Sequence, residues 1–200
     1  MVYGQAGAAG GSGDEWDARP GHCGRDAQGD WINAPTAGPQ LRRWRITDQT
    51  LPAESDSSRW QAADLAAGHP WVRSATQDMF LPTTFDMDLN GGIDFRKGCY
   101  PGQEVIARTH YRGTVKRRLA YGTAPWTTAQ GDLPAPAADL YQTDGDGRPV
   151  ARIIDCVRVD DTVHVAAEIT LSDWPAMRYS LVSAQGPALA LVPLHTDQSR

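Results

Sequence analysis

A chain of 200 residues with 40% hydrophobic content has enough apolar material for one large domain or two small ones. A net charge of −5 and a sequence pI near 5.4 argue against a general nucleic-acid binder. No apolar run approaches the roughly 18 residues a membrane span requires, and the start lacks the basic and apolar blocks of a signal peptide.

Three cysteines, Cys23, Cys99 and Cys156, are odd in number, far apart and in no C-x-x-C pair. Free thiols in a reducing, cytoplasmic setting are therefore expected in place of a disulfide scaffold or a metal site. His22 beside Cys23 has no second pair to complete a metal site.

Residues 1–40 hold nine of the twenty glycines and show no sustained period of 2 or 3.6. They are expected to be a poorly ordered Gly/Ala-rich segment. From Leu41 the texture changes: "LRRWRI" predicts a short amphipathic turn of helix with Leu41, Trp44 and Ile46 inward. "TDQTLPAESDSS" reads as a loop, and "FLPTTFDMDLNGG" as a packed connection with a short helix at most.

"FRKGCYPGQEVIARTHYRG" follows, from Phe95 to Gly113. Pro101 suits a first helical position, Glu104 the first turn, and Gly113 the stop. Val105, Ile106 and Thr109 are expected to face inward. Beyond Gly113, "VKRRLAYGT", "PVARIIDCVRV", "TVHVAAEIT" and a closing hairpin around Gln185-Gly186-Pro187 predict a small antiparallel barrel or sandwich. "DGDG" at 144–147 fails the calcium-loop template, because Arg148 and Pro149 stand where a ligand and a glycine are needed. It is a hairpin turn.

Charge is concentrated. Residues 1–95 carry a net −6 and residues 119–200 a net −5, whereas 96–118 carry +6. That island comprises Arg96, Lys97, Arg108, Arg112, Lys116, Arg117 and Arg118 against Glu104 alone. A compact basic island in an acidic protein focuses field on one site and attracts an anion; a solvated face paired with the protein's own carboxylates is the other reading. Gly98 and Gly102 flank Cys99, and a helix start with Lys97 and Arg96 nearby would lower its thiol pKa. Gln103 and Glu104 add polar groups to a pocket rim. From the residues alone, a reactive thiol and a small residue in a tight turn are equally good readings of Cys99.

"KGCYPGQEVIAR" at 97–108, continued by "THYRG" and "KRR", resembles the signature of the YgfZ-type folate-binding proteins, relatives of the glycine-cleavage aminomethyltransferase. "WRI" at 44–46 and "FLPTTFDMDLNGGIDF" at 80–95 match that family in order and spacing, so the resemblance covers roughly 41–200. It implies an α+β fold: a partial folate-binding domain over 41–112, then a small antiparallel β-barrel over 113–200. This is the C-terminal part of an aminomethyltransferase-like fold, and the chain is expected to lack the family's N-terminal domains.

The resemblance also implies a tetrahydrofolate-binding accessory protein for iron–sulfur cluster assembly or repair, with tRNA-modifying enzymes among its clients. The family's functional thiol maps onto Cys99. The other motif positions map onto Lys97, Gly98, Tyr100, Gly102, Gln103 and Glu104, and Arg108 and Arg112 belong to the implied anion site. Aminomethyltransferases proper carry an acidic residue where this chain has Cys99, which points away from glycine cleavage. A folate-dependent one-carbon transferase using Cys99 or Glu104 is a second reading, though nearby cations would push Glu104 away from a neutral pKa. A third is an RNA-contacting module built on Arg108, Arg112, Lys116, Arg117 and Arg118, with Tyr100, Tyr111 and Tyr121 as its aromatic side chains.

Overall fold

The computed structural model describes residues 2–8, 19–37, 40–49, 57–98 and 101–195. Its centre is a closed antiparallel barrel of six strands: β5 (Arg117–Pro125), β6 (Asp139–Gln142), β7 (Pro149–Val159), β8 (Thr162–Thr170), β9 (Tyr179–Leu181) and β10 (Ala188–Pro193). Going round the barrel, the order is β10-β5-β8-β7-β6-β9, and β9 pairs with β10 to close it. The expected barrel is present. Its 144–147 turn joins β6 to β7, and the 185–187 turn joins β9 to β10.

Successive side chains on a strand point to opposite faces, and β10 alternates exposed and buried along its whole length. The inward set fills the barrel: Leu140, Ile153, Val163, Val165, Ile169, Leu181, Leu189 and Leu191 form one buried cluster. Closure also removes the free strand edges that an open sheet would present.

The barrel's outer wall is covered too. Leu119, Ile154, Val157 and Ala166 pack against Ala62 and Leu65 of α1 (Ser58–Ala66), with Phe80 and Phe85 alongside. The β7–β8 register shifts between Ile153 and Asp155, so Ile154 is an extra residue with no partner opposite. Such a bulge bends the strand and re-aims its side chains. Here Ile153 points into the barrel core while Ile154 joins the outer cluster. Asp155, 1% exposed, accepts hydrogen bonds from Arg73 Nη2 and Gln61 Nε2, both at 3.1 Å.

A four-stranded antiparallel sheet, in the order β1-β4-β3-β2, is built from β1 (Val2–Ala8), β2 (Cys23–Asp26), β3 (Gly29–Asn33) and β4 (Gln40–Ile46). Two expectations are corrected by it. The described parts of 1–40 include three strands, and "LRRWRI" is a strand, not a helical turn. The physical reason is non-local. β4 is hydrogen-bonded on both sides, to β1 and to β3, and those ladders outweigh a short apolar period. Leu41 is buried as expected, but Ile46 is exposed.

Sheet and α1 are joined by a buried ion pair. Arg42 Nη1 donates to Asp64 Oδ1 at 2.7 Å and to the Trp60 carbonyl at 3.1 Å, while Asp64 Oδ2 accepts from Trp71 Nε1 at 3.1 Å. After a first 3-10 turn at Ser74–Thr76, the stretch read as a packed connection forms another at Pro82–Phe85, as short as expected.

Candidate functional site

The helix after the motif, α2 (Gln103–Arg112), starts two residues later than Pro101 suggested, with Gly102 as its N-cap. Gly102 has φ of +88°, a left-handed conformation that L side chains rarely adopt, so glycine is required by the backbone. Packing makes no such demand, since a Cβ there would meet nothing within 4 Å. Glu104 lies in the first turn, and His110 and Arg112 in the last, each complementing the helix dipole. Gly113 ends the helix as expected.

The inward face of α2 departs from expectation. Val105 is 55% exposed, Ile106 and Thr109 are half-buried, and no residue of the helix is fully buried. Gln103 is half-buried, whereas Lys97, Gly98, Gly102, Glu104, Arg108 and Arg112 are exposed. Cys99 and Tyr100 lie outside the described residues.

The basic island divides in two. Arg118 turns inward and is 7% exposed, donating to the Thr83 carbonyl at 3.1 Å and to Asp86 Oδ1 at 3.2 Å. It also grips Asp88, at 2.5 Å and 3.0 Å. That buried arrangement removes Arg118 from any surface role and corrects its place in an anion-binding or RNA-contacting patch. Arg117 Nη1 pairs with Glu168 at 3.1 Å, and Arg96 with Asp94 at 3.6 Å. Arg108, Arg112 and Lys116 are exposed and make no ion pair among the described residues.

Between the 79–84 connection, the end of α2 and the barrel wall lies an open cleft of about 400 Å³. Met79, Phe80 and Leu81 supply an apolar wall; Lys116, Arg117 and Arg152 supply cations. Glu168 sits between the last two, directly across from Arg152 in the β7–β8 ladder. Both of its oxygens are engaged: Oε1 accepts from Thr84 Oγ1 at 3.0 Å and Oε2 from Arg117 at 3.1 Å. A smaller hollow of about 180 Å³ shares Arg117, Arg152 and Glu168 with it. A lining that combines apolar side chains with cations suits a ligand that carries both a flat ring and a carboxylate.

The motif helix contributes only Thr109 to this cleft, and the described residues among 97–104 do not line it. Thr84, Arg152 and Glu168 are the lining residues that the sequence pattern passed over. Glu168 was detectable in principle, as the one carboxylate inside the largely apolar run "TVHVAAEIT"; Arg152 is one of three charges in "PVARIIDCVRV", with Asp155 and Arg158, and does not stand out. No cluster of metal-ligating side chains occurs among the described residues, and none of their helices is long and apolar enough to cross a membrane.

No protein-family model matches the chain. It is 37% identical over 123 residues to the tRNA-modifying protein YgfZ of Klebsiella pneumoniae (strain 342), covering 58% of this chain and 36% of that protein. To the tRNA-modifying protein YgfZ of Edwardsiella ictaluri (strain 93-146) it is 33% identical over 179 residues, 81% of this chain and 53% of the relative. The tRNA-modifying protein YgfZ of Cronobacter sakazakii (strain ATCC BAA-894) is 34% identical over 106 residues, 52% of this chain and 31% of the relative. The similarity thus takes in about one third to one half of each curated relative's length. With the barrel, the motif helix and a similarity that reaches over 81% of its length, the chain belongs to the YgfZ-type proteins.

Proposed function

We propose that this protein serves tRNA modification as a folate-binding accessory factor, supporting iron–sulfur cluster assembly or repair in the enzymes concerned. The relatives' name supports the tRNA link, and the motif resemblance supports the folate and iron–sulfur parts. One observation carries the ligand reading: the cleft is lined both by Met79, Phe80 and Leu81 and by Lys116, Arg117 and Arg152. A reduced pterin and its aryl group offer flat, largely apolar faces to the first set. The glutamate tail offers carboxylates to the second, and Arg is suited to bind those in a two-pronged geometry.

The cleft volume falls within the roughly 300–1,000 Å³ usual for small-ligand sites, so the residues present fit such a ligand. Folate would carry the one-carbon or reducing chemistry of its pterin; the chain's part is to hold the ring and neutralise the tail. In this reading Cys99 is a functional thiol, and Lys97, Gly98, Tyr100, Gly102, Gln103, Glu104, Arg108 and Arg112 are the motif positions that the family resemblance ties to the ligand.

Calorimetric titration of the purified chain with tetrahydrofolate and its polyglutamate tests the reading. The polyglutamate should bind more tightly, salt should weaken both, and Arg152→Ala should remove most of the difference. Affinity independent of salt and of Arg152 would remove the cationic rim from ligand binding. The modified-nucleoside content of tRNA in cells where this chain replaces the resident relative tests the accessory role separately.

A further inference from the structure

We propose that the outward face of α2 is a docking surface for an unpaired nucleic acid strand, with Arg108 and Arg112 on its phosphates and Tyr111 beneath a base. Residues three and four apart share a helix face, so Arg108, Tyr111 and Arg112 form one patch. All three are exposed, Tyr111 to 68%.

Tyr111 is braced from behind. Phe95 stacks on His110 with centroids 3.5 Å apart and planes at 17°. The Tyr111 ring stands edge-on to His110 at 4.7 Å and to Phe95 at 6.3 Å. Two rings thus hold a third, that of Tyr111, at the surface beside two cations that make no ion pair among the described residues. Arg108 and Arg112 are one turn apart, about 6 Å along the axis, a separation that one strand's successive phosphates can follow.

The opposing charges here are Glu104, one turn before Arg108, and Asp94, which pairs with Arg96. The rest of the protein is acidic, with net −6 over 1–95 and −5 over 119–200, and repels a polyanion. A strand is therefore directed to this face. A protein partner's carboxylates would satisfy the arginines but give the presented ring no stacking partner, which every base supplies. Thr109 turns away from this patch toward the cleft. The two readings are told apart by residues that they do not share: Arg152→Ala tests the cleft, and Tyr111→Ala tests this face.

Fluorescence anisotropy with a labelled, unstructured RNA of about twelve nucleotides, the same sequence as DNA, and a blunt duplex tests the proposal on the full chain. At about 50 mM salt the single strand should bind saturably, with an affinity that falls steeply as salt rises. The double change Arg108→Gln and Arg112→Gln should flatten the logarithmic salt slope by about 1.4, from about 0.7 per lost contact on a single strand.

Tyr111→Ala should weaken binding about tenfold while Tyr111→Trp restores it, with circular dichroism unchanged. Equal binding of RNA and DNA supports a shape-blind surface, and preference for RNA supports it with the 2′-hydroxyl read. Three results overturn the proposal: no saturable binding, tighter binding of the duplex, or an affinity untouched by Tyr111→Ala and matched by heparin or an acidic peptide.

Discussion

Arg118, in the first strand of the barrel, and Asp86, in the connection 32 residues before it, form a buried ion pair at 3.2 Å. Asp86 also meets His195 Nδ1 at 2.9 Å, so one carboxylate links the connection, the barrel and the last described residue. Burial pushes the Asp86 carboxyl above its ordinary value, although His195 and Arg118 oppose that shift. The arrangement fixes the 80–90 connection that walls the cleft.

Removing Arg118 should therefore destabilise more than its charge suggests. Arg118→Ala takes from the buried Asp86 and Asp88 the guanidinium they share, and breaking a buried pair from one side typically costs about 3–5 kcal/mol. Urea denaturation should show that loss. A change below about 1 kcal/mol, the range of exposed pairs, would mean that water reaches the site.

Alkaline stability should depend on Cys156. Burial, with Asp155 adding to it, pushes this thiol from 9.0 to about 12. An unfolded chain ionises the thiol above pH 9 while the folded chain keeps its proton, so the folded state binds more protons in that window. Stability then falls as pH rises between about 9 and 12. Cys156→Ala should show a shallower alkaline decline in urea midpoints. Tyr179, also pushed up to about 12 by burial, is present in both proteins and cancels in the difference.

The thiols should rank by environment. Cys156 donates its S–H to the Pro134 carbonyl at 3.1 Å, whereas Cys23 is exposed. Cys99, with Arg96 and Lys97 beside it in sequence, is expected to be alkylated faster than Cys156 at neutral pH. Mass-spectrometric mapping of labelling rates measures this directly. Equal or slower labelling of Cys99 would reduce it to a turn residue.

Gly122 should tolerate no side chain. It sits in β5 where a Cβ would lie 2.1 Å from the Ala190 carbonyl oxygen of β10. Gly122→Ala has to push the two strands apart and should destabilise by about 1–3 kcal/mol. Hydrogen exchange should show faster opening along β5–β10 than along β7–β8. A neutral substitution would show that this pair of strands can separate freely.

By itself the sequence marked five of the barrel's six strands, all but the short β6, because local signals mark them: β7 and β8 are rich in β-branched residues, β10 alternates, and turns bound the set. The helix after the motif was legible for the same reason, down to the Gly113 stop. The family resemblance was carried by twelve contiguous residues, Lys97 to Arg108, and needed no fold. Tertiary structure alone decided the rest. β4 is a strand because β1 and β3 pair with it. Arg118 is a buried brace because Asp86 and Asp88 meet it from 30 or more residues away. The cleft exists because Thr84, Arg117, Arg152 and Glu168 converge from separate segments. Local periodicity reports which face of an element is apolar, but it carries no information about which distant charge or strand will lie against it.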